Sequence, residues 1–153
     1  ALRAPLGVFG VLGNHDYRHG IEASRAGFER SGITQLTNRG AWLERAGYRV
    51  RLAGVDDLWT GRANVTAALE GATTEDACVL VSHNPDLAET LTDERVGVVL
   101  SGHTHGGQVV FPGGSAPFVP SRYGQKYLQG LVRAPHTSVY VTRGLGCSGV
   151  PVR

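Results

Sequence analysis

The amino-acid sequence predicts a mixed α/β fold in a single domain, and three observations carry that expectation. Short apolar runs at residues 6–12, 78–81 and 96–100 each end abruptly in polar, ligand-type side chains. Near-continuous apolar runs of this length read as strands covered on both faces. Helix-forming stretches lie between them, and strands alternating with helices build layered α/β sheets. In such sheets the crevice lies beyond the carboxyl ends of the strands. All three polar clusters fall there.

In chain order, the first apolar run gives a strand over 6–12 and then the turn-like Gly13-Asn14-His15-Asp16. Residues 20–30 are moderately helical. Residues 34–38, 41–44 and 49–53 predict an antiparallel meander, broken at 39–40 and 46–47. A helix follows over 64–70, with Asn64 as its cap and Val65, Ala68 and Leu69 on one face. The strand 78–81 leads through Ser82-His83 into a helix over 85–91, with Asn84 as cap, Pro85 at its first position and Asp86 in its first turn. The strand 96–100 leads into Ser101-Gly102-His103-Thr104-His105-Gly106-Gly107. Residues 107–111 and 138–142 predict later strands, and the Gly-, Pro- and Ser-rich residues 112–124 a long loop of the kind that often carries function.

Composition narrows the class. A chain of 153 residues with 41% hydrophobic and 18% charged residues can bury one core and is not disordered. The net charge of +2 and the lack of any long basic run give no sign of nucleic-acid binding. No apolar stretch approaches the roughly 18 residues of a membrane span, and no signal peptide is visible. Glycine, at 22 residues, is about twice its usual share, which predicts many tight loops. Cys78 reads as a small buried hydrophobe, and no disulfide to Cys147 is expected. The chain opens at Ala1, contains no Met and runs almost directly into an apolar strand, so an N-terminally truncated domain is expected. Compartment, cytoplasmic or envelope-associated, and oligomeric state stay open.

Each polar cluster has a bland reading. Gly13-Asn14-His15-Asp16 suits a tight turn, and Asn84-Pro85 explains itself as a helix cap. Gly102-His103-Thr104-His105 is the sharpest, because two histidines one residue apart among glycines can aim both imidazoles at one space. Together they are stronger: four of six histidines (His15, His83, His103 and His105) stand at the ends of predicted core strands. Their convergence on a metal site is the expectation, with imidazole and amide donors suiting Mn, Fe or Zn. His19 and His136 read as ordinary surface-loop residues.

The ordered set Gly13-Asn14-His15-Asp16, Ser82-His83-Asn84-Pro85 and Gly102-His103-Thr104-His105 resembles the last three motifs of the calcineurin-like metallophosphoesterase superfamily. Together with Gly54-Val55-Asp56-Asp57 and Arg143-Gly144-Leu145-Gly146, it is similar to the bacterial YkuE-like phosphodiesterases. The resemblance implies the C-terminal portion of an αββα sandwich, two mixed sheets flanked by helices. It implies two divalent metal ions (Mn, Fe or Zn), with Asn14, His83 and His103 on one and His105 on the other. His15 would contact the substrate phosphate and protonate the leaving group, supported by Asp16. The reaction implied is hydrolysis of a phosphomonoester or phosphodiester by a hydroxide bridging two ions, on a small-molecule or lipid-linked substrate. The family's first two motifs, Asp-x-His and Gly-Asp-x-x-Asp, have no counterpart in this sequence. A catalytically silent metal-binding or interaction domain of the same fold is therefore the alternative. Arg122, Lys126 and Arg143 are candidate phosphate contacts, although solvated surface charge is the simpler reading of each.

Overall fold

The computed structural model describes residues 2–149, 151 and 152. Among the described residues, eight strands form two sheets. The larger has six strands: β3 (Arg39–Arg45), β4 (Tyr48–Gly54), β5 (Cys78–Val81), β6 (Val96–Ser101), β7 (Gly130–Arg133) and β8 (Ser138–Val141). Their order is β3-β4-β5-β6-β8-β7. The four central strands run parallel, and each edge strand is antiparallel to its neighbour. The smaller sheet pairs β1 (Phe9–Gly10) in parallel with β2 (Thr34–Gln35). The fold class is the expected mixed α/β.

Burial explains the parallel centre. Ala53, Leu80, Val99 and Val139, from four adjacent strands, are fully buried, and Ala68, Leu69, Leu87 and Ala88 pack in the same core. The covering residues come from α3 (Val65–Ala68) and from a 3₁₀ segment, Pro85–Glu89. Both are capped as the sequence predicts. The side chain of Asn64 accepts from the N–H of Ala67 at 3.0 Å, and that of Asn84 from the N–H of Asp86 at 2.9 Å.

What positions the site is the alignment of strand ends. Gly54 pairs with Val81, Val81 with Leu100 and Leu100 with Tyr140, so the central strands finish level. The ladder continues beyond them: Ser82 N–H donates to Leu100 at 3.0 Å, and Gly102 N–H donates to the carbonyl of His83 at 3.1 Å. The backbones carrying His83 and His103 are thus bonded side by side.

Several elements differ from expectation. Residues 39–40 open β3 instead of breaking it, so the meander reduces to the β3–β4 hairpin, while β2 joins the other sheet. That hairpin turns on Ala46 and Gly47, both left-handed (φ 52° and 81°), the backbone that matches strand twist in a two-residue turn. Only Phe9 and Gly10 of residues 6–12 find a strand partner among the described residues. Residues 107–111 form no strand, because His103, His105, Gly106, Gly107 and Gln108 all have positive φ and curl the chain away from the sheet. Besides three short 3₁₀ segments, a strand and a helix escaped the sequence: the edge strand β7 and the helix α1 (Asn14–His19). The second matters more, since it carries three of the predicted site residues. Helix α2 (Ile21–Ser31) follows directly, close to its expected bounds.

Candidate metal centre

The side chains of Asn14, His83 and His103 meet. His83 Nε2 lies 2.9 Å from Asn14 Oδ1 and 3.1 Å from His103 Nδ1. Asn14 comes from the first turn of α1, His83 from the end of β5 and His103 from the end of β6. Two donors on one ion at about 2.1 Å stand roughly 3.0–3.4 Å apart, depending on coordination geometry. The observed spacings fit three donors turned toward one point, and they also suit hydrogen bonds between neutral groups. Among the described residues no three His, Cys, Asp or Glu side chains cluster closely enough to hold an ion by themselves. The donor set here is two imidazoles and an amide oxygen.

Electrostatics keep those imidazoles in the ligating form. Burial pulls His83 down from 6.5 to about 4; nearby Asp16 opposes this, while His15 and His105 assist. Burial and the adjacent His83 likewise pull His103 down to about 4. Neutral imidazole offers the lone pair that a metal needs. One prediction follows for the chain without metal. Near neutral pH both rings are uncharged whether the chain is folded or not. As pH falls from 6.5 toward 4 the unfolded chain takes up protons that the folded one refuses, so stability drops through that window and levels off below it. Urea midpoints at about pH 7 and about pH 5 check this, the lower pH giving the lower midpoint.

A glycine permits the meeting. A Cβ on Gly13 would stand 2.7 Å from three atoms of the His83 ring. Gly13 is in extended backbone (φ −116°, ψ 175°) that any residue adopts, so the requirement is steric alone. Gly13→Ala is expected to cost about 1–3 kcal/mol by overpacking or to push the His83 ring away from Asn14. Urea unfolding and Zn²⁺ titration of the variant read the two effects separately.

His15 and Asp16 also lie on α1, but they do not touch as expected. Asp16 Oδ2 accepts from the N–H of Gly13 at 2.7 Å and Oδ1 from the hydroxyl of Ser24 at 2.7 Å. Its carboxylate closes the first turn of α1 and ties it to α2, so any support it gives His15 passes through the helix. The ring of His15 instead neighbours His19, one turn along, with Nδ1 and Nε2 3.4 Å apart. His19 is therefore helical and paired, not an isolated loop residue.

His105 stands apart from the trio: its Nδ1 lies 3.1 Å from the carbonyl of Gly146. It shares with Asn14, His15 and His103 a cleft of about 400 Å³. Val109 and, from the long loop, Pro117 and Phe118 add apolar lining to it. That loop is seated by Asp86, which accepts from the Ser121 hydroxyl at 2.5 Å and the Arg122 N–H at 2.9 Å. Of the three candidate phosphate contacts none lines this cleft. Lys126 is paired with Glu89, Arg122 borders a neighbouring hollow with Leu58 and Tyr123, and Arg143 packs beneath Gly106. Arg18, one turn beyond His15, does line it. Nothing in the sequence pointed to a role for Asp57 or Trp59, although Asp56-Asp57 follows a strand, β4, just as the histidine clusters follow theirs.

Comparison with known proteins gives the chain a family. Residues 2–107 match the family described as Calcineurin-like phosphoesterase. The chain is 34% identical to the uncharacterized metallophosphoesterase YkuE of Bacillus subtilis, over 99% of the chain and 54% of that protein. It is 33% identical to the phosphodiesterase YaeI of Escherichia coli, over 91% of the chain and 51% of that protein. A transmembrane protein with metallophosphoesterase domain from Danio rerio is 36% identical, over 99% of the chain and 37% of that protein. The chain thus spans about half the length of the first two relatives. No solved structure matches it significantly. Residues 2–107 include Asn14, His83, His103 and His105, and with them the chain belongs to the calcineurin-like phosphoesterase family.

Proposed function

We propose that this chain supplies half of a two-metal centre that hydrolyses phosphomonoesters or phosphodiesters. The observation that carries the reading is the meeting of Asn14, His83 and His103 at 2.9 and 3.1 Å, with Asn14 and His103 lining a cleft that His15 and His105 also line. Asn14, His83 and His103 would hold one divalent ion and His105 would take part in holding a second. Such ions, whether Mn, Fe or Zn, neutralise charge on phosphoryl oxygens and make water a nucleophile at neutral pH.

The chain's own residues do the rest. His15 protonates the departing oxygen, which lets a poor leaving group depart as an alcohol. Its position on the lining of the same cleft as Asn14 supports that role. Asp16 fixes the start of α1 and so the direction of both side chains. Val109, Pro117 and Phe118 present an apolar wall to the part of the substrate beyond the phosphate.

Metal analysis combined with a chromogenic phosphodiester assay tests the reading, applied to this chain and to a form extended by the residues encoded upstream. Hydrolysis by the extended form with Mn²⁺ added is expected, with little from the chain alone. An extended form that binds metal yet hydrolyses neither mono- nor diesters would leave a silent metal-binding domain as the better description.

A further inference from the structure

Four buried side-chain atoms make no hydrogen bond among the described residues: Asn84 Nδ2, Ser101 Oγ and a complementary pair, His103 Nε2 and Asp57 Oδ2. One can donate and the other can only accept while ionised. The rest of Asp57 is engaged. Oδ1 accepts from the N–H of Trp59 at 3.0 Å, and its own N–H donates to Asp56 Oδ1 at 2.8 Å. The turn it caps places the indole of Trp59 edge-on against the ring of His103, with centroids 4.8 Å apart. Burial, the largest influence on each, raises the pKa of the Asp57 carboxyl and lowers that of the His103 imidazole, while the two groups act on each other in the opposite sense, each favouring the other's charged form.

The other nitrogen of His103 defines what is needed. Nδ1 faces His83 Nε2 at 3.1 Å, whereas Nε2 is sealed from solvent. For Nδ1 to offer a lone pair, the ring proton must sit on Nε2, and which nitrogen carries it is set by the partner of the other. We propose that Asp57 is the acceptor for the Nε2–H of His103, a positioning residue that holds this imidazole in the tautomer whose Nδ1 can ligate a divalent ion. Carboxylates that orient ligating histidines in this way commonly govern metal affinity.

The effect on metal rests on the reading of His103 as a ligand, whereas the tautomer does not. Both can be measured on the whole chain. With ¹⁵N-labelled histidine, long-range ¹H–¹⁵N spectra near neutral pH are expected to show His103 protonated on Nε2 and bare on Nδ1. Asp57→Asn should keep its oxygen on the Trp59 N–H and turn an amide donor toward His103. That should move the ring proton to Nδ1 and lower Zn²⁺ affinity by about 10–100-fold, with the amide fingerprint of the fold unchanged. A wild-type Nδ1–H tautomer would overturn the proposal, and so would an Asp57→Asn chain that keeps both the Nε2–H form and full affinity. Should the variant fail to fold, the wild-type tautomer alone decides. His103→Ala separates the two levels: if it binds Zn²⁺ as tightly as wild type, the ligand reading fails while the tautomer result stands.

Discussion

An alanine at position 83 is expected to abolish stoichiometric binding of Zn²⁺ or Mn²⁺. His83 is the middle member of the trio, with the same Nε2 atom facing both Asn14 and His103. Removing it leaves an amide oxygen and one imidazole, too few donors to compete with water. Loss of an orienting residue alone commonly weakens metal affinity 10–100-fold, so loss of a donor should cost more than about 100-fold. Thermal melts give a direct reading, because a ligand bound only by the folded chain adds about 2.7 kcal/mol at a hundred times its Kd. The wild-type melting temperature should rise with added Zn²⁺, and that of His83→Ala should not. An equal rise in both would remove His83 from the centre.

The second large effect concerns turnover. In the extended form His15→Ala should retain metal and lose about 10²–10⁴-fold in rate, the larger loss falling on substrates whose leaving group is a poor one. A nitrophenolate departs without help, so an assay limited to nitrophenyl esters would understate the change. Comparing a nitrophenyl with an alkyl phosphodiester exposes the difference. Equal losses on the two would mean that His15 binds the phosphate without delivering a proton. Undiminished turnover on the alkyl ester would exclude it from the chemistry.

The parts of this fold that could be read in the sequence are those where pattern and burial agree. β5 and β6 are continuous apolar runs that bury Cys78, Leu80, Val96 and Val99 in the core. Their second face is only partly covered, with Leu100 exposed, so the expectation of strands covered on both faces does not hold. Asn64 and Asn84 announced their caps by residue type. The helix α1 was hidden for a physical reason. Its six residues, Asn14–His19, contain no buried side chain and so no apolar periodicity; what holds it is the hydrogen bond from Gly13 to Asp16, a tertiary tie from Ser24, and packing against α2. Residues 107–111 misled in the opposite direction. Val109, Val110 and Phe111 have strand composition, but the preceding left-handed residues send them to solvent. At the site, the histidines were legible because imidazole is scarce and stood at strand ends. Asp57 was not, since a carboxylate after a strand is common and its meaning lies in an unpartnered atom two strands away.

The anchorage of the long loop has an engineering consequence. Asp86 holds Ser121 and Arg122 while its own N–H is bound by Asn84, the residue after His83. The loop that walls the cleft and the turn that presents His83 are therefore fastened to one residue, the first by its carboxylate and the second by its backbone N–H. Libraries that reshape the loop around residues 116–122 to admit bulkier esters will disturb ion loading at the same time, and selections on turnover alone will confuse the two. Randomising the tip at 112–115, remote from that fastening, is the safer route to altered specificity.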